Sequence, residues 1–407
     1  MRVIRFWGSA APSSIASPVS RMPVLNRIAA FADDMTEWRR WMHRHPELGF
    51  DCHRTAAFVA DKLRAFGVDE LHEGIATTGV VGIIEGSRPG PTIGLRADMD
   101  ALPMPEQTGA AHASEVPGAM HACGHDGHTA MLLGAARYLA ETRNFAGRVA
   151  LIFQPAEEAG GGGRVMVEEG IMDRFAIAEV YALHNAPDLP EGHFATTPGP
   201  IMAAVDEFAI TVRGVGGHAA WPHECRDPVP VAVRLAHAFD TIVSRDADPI
   251  DRLVVSVTQI HAGTAFNVIP DSAFVGGTVR TFTTAMRGLA ERRIAQICTG
   301  LAQAFGVTVD LEYRRDYPAT VNHAREAMLA ADIAASVVGE DRVIRDTRPS
   351  MGAEDFAYML EARPGAYLNL GQGGGPMCHH PAYDFNDAIA PVGASFFARM
   401  VEMRQPA

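Results

Sequence analysis

Residues 120–128 read MHACGHDGH and contain three histidines, a cysteine and an aspartate. Thiolate, imidazole and carboxylate groups bind zinc, manganese, cobalt and nickel. Alternate residues of an extended turn project in similar directions, so Cys123 and His125 could reach one metal ion. A small buried cysteine beside exposed histidines is the structural alternative. A nucleophilic Cys–His pair is the second functional interpretation of this motif.

Residues 154–158 read QPAEE and lead from an apolar segment into a glycine-rich loop. The two adjacent carboxylates, Glu157 and Glu158, point in different directions, so one can bind a metal while the other faces a water. Hydrolysis uses both functions: a cation polarises the carbonyl and acidifies water, and a carboxylate accepts and returns the proton. A solvated acidic turn is the alternative interpretation.

Further polar side chains follow apolar segments: His184, His379, Asp98 and Asp100. A single histidine of this kind is more typical of packing or exposure, and the two aspartates could hold an imidazole in the required tautomer. Open α/β sheets bind their ligands at the carboxyl ends of their strands. Taken together, these groups predict a metal-dependent hydrolase.

Apolar periodicity predicts the elements that would position these groups. One helix is predicted to begin near residue 26, and further helices are predicted at 55–66, 125–141, 325–338, 355–360 and 394–403. Strands are predicted at 80–84, 92–95, 148–153, 180–183 and 366–370. This alternation indicates an α/β fold, a mixed and mainly parallel sheet with helices on both faces.

A different pattern lies between residues 199 and 316. Strands at 207–212, 253–260, 273–279 and 307–313 and helices at 229–243 and 286–305 follow the β-α-β-β-α-β order of a ferredoxin-like sandwich. We therefore expect a catalytic domain from 23–198 plus 317–407, interrupted by an inserted α+β domain at 199–316.

Composition narrows the function classes. The net charge of -13 argues against nucleic acid or an anionic membrane as partner, and no apolar run approaches the roughly 18 residues of a membrane span. Five scattered cysteines are typical of a reducing compartment, so we expect a soluble cytoplasmic protein. Residues 1–22 contain three arginines and no acid; we expect a disordered extension or an upstream start, with an organelle presequence as the alternative.

Eight segments resemble the aminoacylase and carboxypeptidase superfamily of two-metal hydrolases, and the resemblance runs from about residue 24 to the C-terminus. The branch they resemble is that of hippurate hydrolases and auxin-conjugate (indole-acetyl-amino-acid) amidohydrolases. The segments are RHPELGF (44–50), GLRADMDALP (94–103), MHACGHDGH (120–128), QPAEE (154–158), LHNAP (183–187), FNVIPD (266–271), MGAEDF (351–356) and HHPAYDFND (379–387).

The resemblance implies a pair of divalent metal ions (Zn, Mn, Co or Ni) and assigns roles to particular residues. Glu157 matches the general base, Asp100 the aspartate beside it, and Cys123 the bridging ligand. His379, rather than His380, matches the family's His-x-Pro pattern. The implied metal ligands are Cys123, His125, Glu158, His184 and His379.

For the inserted domain, the resemblance implies a lid or dimerisation role in a homodimer or homotetramer. His218 matches a histidine that helps to hold the scissile carbonyl oxygen, often across a dimer. Asn267 and Arg280 match positions that grip the substrate, and a guanidinium could pair with a free carboxylate.

The expected activity is metal-dependent hydrolysis of the amide bond of small N-acyl amino acids. A dipeptidase or carboxypeptidase of the same superfamily is the main alternative. A non-catalytic ligand-binding protein is the alternative from another class, and the presence of every expected ligand and of the base counts against it.

Overall fold

The computed structural model describes residues 24–407. The extension expected at residues 1–22 lies outside the described residues. None of the helices formed by residues 24–407 is long and apolar enough to cross a bilayer.

Helices and strands alternate along most of the chain, and the predicted elements are present with their ends moved by a few residues. The helices are α1 (Asn26–Ala29), α2 (Ala32–Arg44), α3 (His53–Phe66), α4 (His125–Thr142), α5 (Gly162–Glu168), α6 (Ile171–Arg174), α7 (Val229–Thr241), α8 (Thr284–Phe305), α9 (Ala324–Val338), α10 (Ala357–Ala362) and α11 (Ala390–Arg404). The strands are β1 (Glu70–Ile75), β2 (Gly79–Glu85), β3 (Arg88–Asp98), β4 (Ala146–Gln154), β5 (Ile177–Ala186), β6 (Phe194–Ala195), β7 (Gly199–Met202), β8 (Ala204–Arg213), β9 (Gly217–His218), β10 (Leu253–Ala262), β11 (Val268–Ile269), β12 (Ser272–Thr281), β13 (Thr308–Arg315), β14 (Thr320–Asn322), β15 (Val343–Ile344) and β16 (Gly365–Gly371).

Sequence periodicity did not predict β1, α5 or α6. The β1 strand reads ELHEGI and lies at the edge of the sheet, where most of its side chains are wholly or partly exposed. Such a strand lacks the apolar alternation of a half-buried one. The predicted first helix is divided into α1 and α2 at Ala30 and Phe31.

The largest sheet has eight strands in the order β1-β2-β4-β3-β5-β16-β6-β15. Its four central strands, β4, β3, β5 and β16, are parallel. Strands β1 and β2 pair antiparallel with their neighbours, and β6 pairs antiparallel with β16 but parallel with β15. This arrangement confirms the predicted mixed, mainly parallel sheet.

Helices cover both faces of this sheet. One face packs under α2, α3, α4, α9 and α11, around buried side chains such as Trp38, Leu132 and Val401. The other face packs under α5, α6 and α10, around Met166, Ile171 and Met359. Because both faces are buried, the central strands are continuously apolar rather than alternating.

A second sheet of four strands, in the order β10-β12-β8-β13, is antiparallel throughout. Helices α7 and α8 cover one of its faces, and it has its own apolar cluster around residues such as Phe208, Leu235 and Ile294. This strand order and connectivity are those of the ferredoxin-like sandwich expected for the inserted segment.

One buried guanidinium links α2 to the C-terminal segment that carries His379. Arg39 is 1% exposed; its Nε donates to Asp387 at 2.7 Å and its Nη1 donates to Asp384 at 2.8 Å. Its Nη1 also lies 3.7 Å from a carboxylate oxygen of Asp126, the residue after His125. Arg39 therefore compensates the negative charge of three carboxylates, those of Asp126, Asp384 and Asp387.

We expect Arg39→Met to lower the free energy of unfolding by about 3–5 kcal/mol, because it removes a buried cation that faces the buried Asp126 and pairs with the partly exposed Asp384 and Asp387. Arg40→Met is the matched control, since Arg40 donates to the same Asp387 from a side chain that is 45% exposed, and should cost no more than about 1 kcal/mol. Urea unfolding followed by circular dichroism measures both values. Equal losses for the two variants would contradict the role given to Arg39.

Candidate metal centre and active site

The parallel strands deliver the predicted site residues to one edge of the large sheet. Strand β3 ends at Asp98, β4 ends at Gln154 just before Glu157 and Glu158, and β5 carries His184 near its end. The carboxyl ends of parallel strands lie at the same edge, which is the usual ligand crevice of such a sheet.

The structure brings all five predicted metal ligands together. Cys123, His125 and His184 form one group, Cys123, Glu158 and His379 form a second, and the potential ligand atoms within each group lie within 4.8 Å of one another. The Cys123 Sγ lies 3.4 Å from His184 Nε2, and Glu158 Oε1 lies 3.2 Å from His379 Nε2. Cys123 belongs to both of these groups.

Two of the histidine rings are oriented by backbone carbonyls. The Nδ1 of His125 lies 2.8 Å from the Asp100 carbonyl oxygen, and the Nδ1 of His184 lies 2.7 Å from the Asn185 carbonyl oxygen. With Nδ1–H donating to each carbonyl, the Nε2 lone pair of each ring faces the ligand groups.

The donor set fits a divalent cation. Among residues 24–407, the buried His125 Nε2 and Glu158 Oε1 have no hydrogen-bond partner. Buried polar atoms are rarely left in this state without a reason such as a bound ion. Thiolate, imidazole and carboxylate together form the mixed donor set expected for zinc or a neighbouring transition metal.

The local backbone at the ligands is constrained. Gly124 separates Cys123 from His125 at φ +99°, and a Cβ at this position would lie 2.1 Å from the Asn185 Oδ1, so only glycine fits. Ala156 and His379 have φ of 57° and 65°, in the left-handed region. Such conformations cost about 1–3 kcal/mol each and persist where the surroundings impose them.

Asp98, the last residue of β3, and Asp100, two residues later, contact different partners. The Asp100 carboxylate accepts the backbone N–H of Glu157 at 2.9 Å and of Glu158 at 3.1 Å, so it holds the loop that carries both carboxylates. Asp98 does hold a histidine, but that histidine is His128, at 2.6 Å.

His128 and His121, from the same motif as His125, are not in the two ligand groups. His128 is held between Asp98 and Asn185, whose Oδ1 lies 2.7 Å from its Nε2. His121 is buried, and its ring lies 6.2 Å from that of His43. Burial is the main reason that the pKa of His121 falls to about 4, which keeps its ring neutral.

Glu157 lies in a buried acidic cluster with Glu354 and Asp355. Burial raises the pKa of Glu157 well above its usual range, and the carboxylates of Glu354 and Glu158 raise it further. Burial likewise raises the pKa of Asp355 to about 7. A carboxyl group with a raised pKa is suited to hold a proton and then release it.

Arg96 compensates part of this buried negative charge. Its guanidinium lies 2.7 Å from Asp98, 3.0 Å from Glu354 and 3.0 Å from Asp355. Sequence reasoning did not assign roles to Arg96, Glu354 or Asp355, although the segments GLRADMDALP and MGAEDF contain them. An arginine within a buried strand was the available signal, because it must be paired.

The site has a negative potential that favours a cation. Although burial disfavours the charged ring, Asp98, Asp100 and Glu158 raise the pKa of His125 well above its ordinary value. Burial opposes ionisation of Glu158, yet the His379 imidazole 3.2 Å away and the charge of His125 lower its pKa. Carboxylates that stabilise a proton on His125 would stabilise a divalent cation at the same place.

His379 and His380 are clearly distinguished. His379 belongs to the second ligand group, and its backbone N–H donates to the Ala122 carbonyl at 2.8 Å. His380 is exposed, and its Nδ1 accepts the backbone N–H of Ala382 at 3.1 Å. The structure therefore favours His379 as the ligand, as the family pattern implied.

A cavity of about 710 Å³ opens beside the ligand groups. Cys123, Glu157 and Glu158 line it from the large sheet, and Arg280 and Arg314 line it from the inserted segment. Arg280 is partly buried, which lowers the pKa of its guanidinium. A volume of this size accommodates a small organic molecule.

His218 and Asn267 lie elsewhere within one chain. Both are exposed, and the Asn267 carbonyl accepts the backbone N–H of Ala219, next to His218. They adjoin the start of β12, whereas Arg280 lies near its end, and the eight steps from Ser272 to Arg280 span about 26 Å at ~3.3 Å per residue. Of the three residues predicted in the inserted domain, only Arg280 lines the cavity of the same chain.

The amino-acid sequence is similar to that of known hydrolases. Residues 94–403 match the model of the Peptidase family M20/M25/M40. The chain is 39% identical to a hippurate hydrolase of Campylobacter jejuni over 93% of this chain and 98% of that protein. It is 41% identical to thermostable carboxypeptidase 1 of Saccharolobus solfataricus over 85% of this chain and 88% of that protein.

A solved structure supports the same relationship. The crystal structure of a dinuclear metal-binding peptidase of the M20 family from Bacillus subtilis matches with a TM-score of 0.81 at 33% identity, covering 93% of this chain and 99% of that one. The resemblance predicted from the eight sequence segments is therefore confirmed. By its fold, its sequence and the donor set at its strand edge, the chain is a member of the Peptidase family M20/M25/M40.

Proposed function

We propose that this amidohydrolase cleaves the amide bond of N-acyl amino acids, including hippurate-like aryl-acyl conjugates. The observation that carries the proposal is the Cys123 thiol shared by two ligand groups, beside the buried Glu157 and a cavity lined by Arg280. We propose two divalent cations per subunit, drawn from zinc, manganese, cobalt and nickel. Their ligands would be Cys123, His125, Glu158, His184 and His379.

Divalent cations held by these ligands would lower the pKa of a water and polarise the scissile carbonyl. Glu157 accepts the proton of the attacking water and returns it to the leaving nitrogen, for which its raised pKa is suited. Asp100 keeps Glu157 and Glu158 in place through their backbone N–H groups. The products are a free amino acid and a carboxylic acid.

Arg280 would select substrates with a free carboxylate. Its guanidinium faces Glu207 and Asp316, but Glu207 accepts from Arg314 Nη2 at 2.5 Å. A substrate carboxylate could form a two-bond pair with the Arg280 fork. The amino-acid end of an N-acyl amino acid supplies such a carboxylate.

A carboxypeptidase activity is the second candidate. The 41% identity to a carboxypeptidase of similar length supports it, and a peptide also presents a free carboxylate beside the scissile amide. The two candidates share the same chemistry and differ in what the cavity accepts on the acyl side.

We further propose that a second copy of the chain supplies His218 and Asn267 to the cavity. Exposed apolar side chains surround these two residues, including Trp221 at 53% exposure, Phe266 at 110% and Val268 at 53%. Such a cluster on a protein surface is typical of an interface. In a symmetric dimer, His218 would reach the carbonyl oxygen of substrate held by the partner.

We expect N-benzoyl and N-acetyl amino acids to be hydrolysed with a higher kcat/KM than dipeptides or benzoyl peptides.

Glu157→Gln should lower kcat by about 100- to 10,000-fold, because it removes proton transfer, and should retain the metal. Liquid chromatography of released amino acids measures the activity, and plasma emission spectroscopy measures the metal.

The control for this variant is Glu168→Gln, on the exposed surface of α5, which should leave both quantities unchanged. Near-normal turnover by Glu157→Gln would refute the assignment of the base. A clear preference for peptides would favour the carboxypeptidase candidate.

The adjacent histidines provide a second, internally controlled test. His379→Ala should reduce the metal content from two ions per subunit towards one and lower kcat by at least about 100-fold, because it removes a direct ligand. His380→Ala should retain both ions and most of the activity. Identical behaviour of the two variants would contradict the ligand assignment.

Co-expression of two inactive variants tests the dimer. If His218 acts across the interface, a mixture of Glu157→Gln and His218→Ala chains should regain about a quarter of wild-type activity, since half of the dimers are hybrids with one intact site each. The variants assembled separately should remain inactive. No recovery in verified hybrids, isolated by two affinity tags, would show that His218 does not act across this interface.

A further inference from the structure

Cys378 lies beside Cys123, and neither the fold nor the proposed mechanism uses it. The backbone N–H of His379 donates to the Ala122 carbonyl at 2.8 Å, so the two segments run side by side, with Cys123 and Cys378 each one residue from this bond. The Sγ of Cys378 lies 3.7 Å from the Cys123 carbonyl oxygen, which places the Cys378 side chain directly beside Cys123.

This arrangement suits a disulfide. Natural disulfides join residues whose Cα atoms are about 4.4–6.8 Å apart, the spacing of directly adjacent backbone segments. Asn185 Nδ2, 3.8 Å from the Cys378 sulfur, contributes to holding that side chain in place. Both thiols are reduced in this structure.

The pair is also accessible to small oxidants. Cys123 and Cys378 are partly exposed and line the substrate cavity. The other three cysteines, Cys52, Cys225 and Cys298, are buried. Oxidation is selective for accessible thiols that have a second thiol within reach.

We propose that Cys123 and Cys378 form an oxidative modification site, at which a hydroperoxide converts the two thiols into a disulfide. This rests on the proposed function in one respect, that Cys123 is the shared metal ligand. Cys378 belongs to neither ligand group, so it is available as the partner thiol. A disulfide sulfur is not a thiolate, and its formation would remove one ligand from both groups at once.

The chemistry balances. One thiolate attacks a peroxide oxygen, the O–O bond breaks, and a sulfenic acid and one hydroxide (an alkoxide for an alkyl hydroperoxide) form. The second sulfur attacks the sulfenic sulfur, the S–S bond forms, the S–O bond breaks and the oxygen leaves as water. Two electrons pass from the thiols to the peroxide, and the two thiol protons end on the released water and hydroxide or alkoxide. A dithiol reductant reverses the modification by exchange.

The test treats the zinc-loaded wild-type protein with excess hydrogen peroxide and follows three quantities. Non-reducing peptide mapping by mass spectrometry detects the cross-link, a chromogenic chelator detects released zinc, and activity is expressed relative to the same variant before treatment. We expect a peptide joining Cys123 to Cys378, release of zinc, and an activity loss of at least about tenfold that dithiothreitol with zinc restores.

Two variants make the result specific. Cys298→Ala, which removes a buried cysteine of α8, should respond as the wild type does. Cys378→Ala should form no cross-link, and its Cys123 should proceed to the sulfinic acid, which dithiothreitol does not reduce. Absence of the cross-linked peptide in the wild type, or equal recovery of Cys378→Ala with reductant, would overturn the inference.

The same data separate this inference from the proposed function. A wild type that forms the cross-link but binds no zinc and hydrolyses no amide would refute the proposed function and retain the modification site. A protein that hydrolyses its substrate with bound zinc and forms no cross-link would refute the modification site alone.

Discussion

Five carboxylates are buried behind the carboxyl edge of the large sheet: those of Asp98, Asp100, Glu157, Glu354 and Asp355. Buried charge is costly unless it is paired, and Arg96 pairs directly with only three of them. The other two, Asp100 and Glu157, have no such pair and lie close to His125 and Glu158. A pair of divalent cations would compensate the remaining negative charge. Burial raises the pKa of Glu157 above its usual range, and the nearby negative charge raises it further. Charge balance therefore links the scaffold, the ligand groups and the base.

That balance also explains why the backbone around the ligands is so closely held. Asp100 is one of the buried carboxylates, and it is satisfied by the backbone N–H groups of Glu157 and Glu158. Ala156 and His379 adopt left-handed conformations at the same edge. Hydrogen bonds of this kind supply the free energy that keeps strained residues in place, so that ligand atoms converge without rearrangement.

The inserted four-stranded sheet contributes to the cavity from one end and presents a different surface at the other. Strand β12 is long enough to separate Arg280 from the His218–Asn267 region. In the proposed dimer, the end of the sandwich that contains Arg280 would line the cavity of its own chain. The end that contains His218 and Asn267 would contact the second copy. The proposed site would then depend on assembly as well as on folding.

Much of the fold and of the candidate site could be predicted from the order of the amino acids. Apolar periodicity located the strands β2, β3, β4, β5 and β16, and residue type and order identified the thiol, imidazole and carboxylate donors, because burial and ligand chemistry are local properties. Periodicity missed β1, whose edge position removes the apolar signal.

The combination of residues that lie far apart in the chain became visible only in the folded molecule. The tertiary structure showed that Cys123 is shared by two groups, that Asp100 holds the Glu157 loop, and that Arg96 pairs with Glu354 and Asp355 across more than 250 positions. It also separated His218 from Arg280 and placed Cys378 against Cys123. These relations depend on strand order and loop packing, which bring together residues far apart in the chain and which no local pattern encodes.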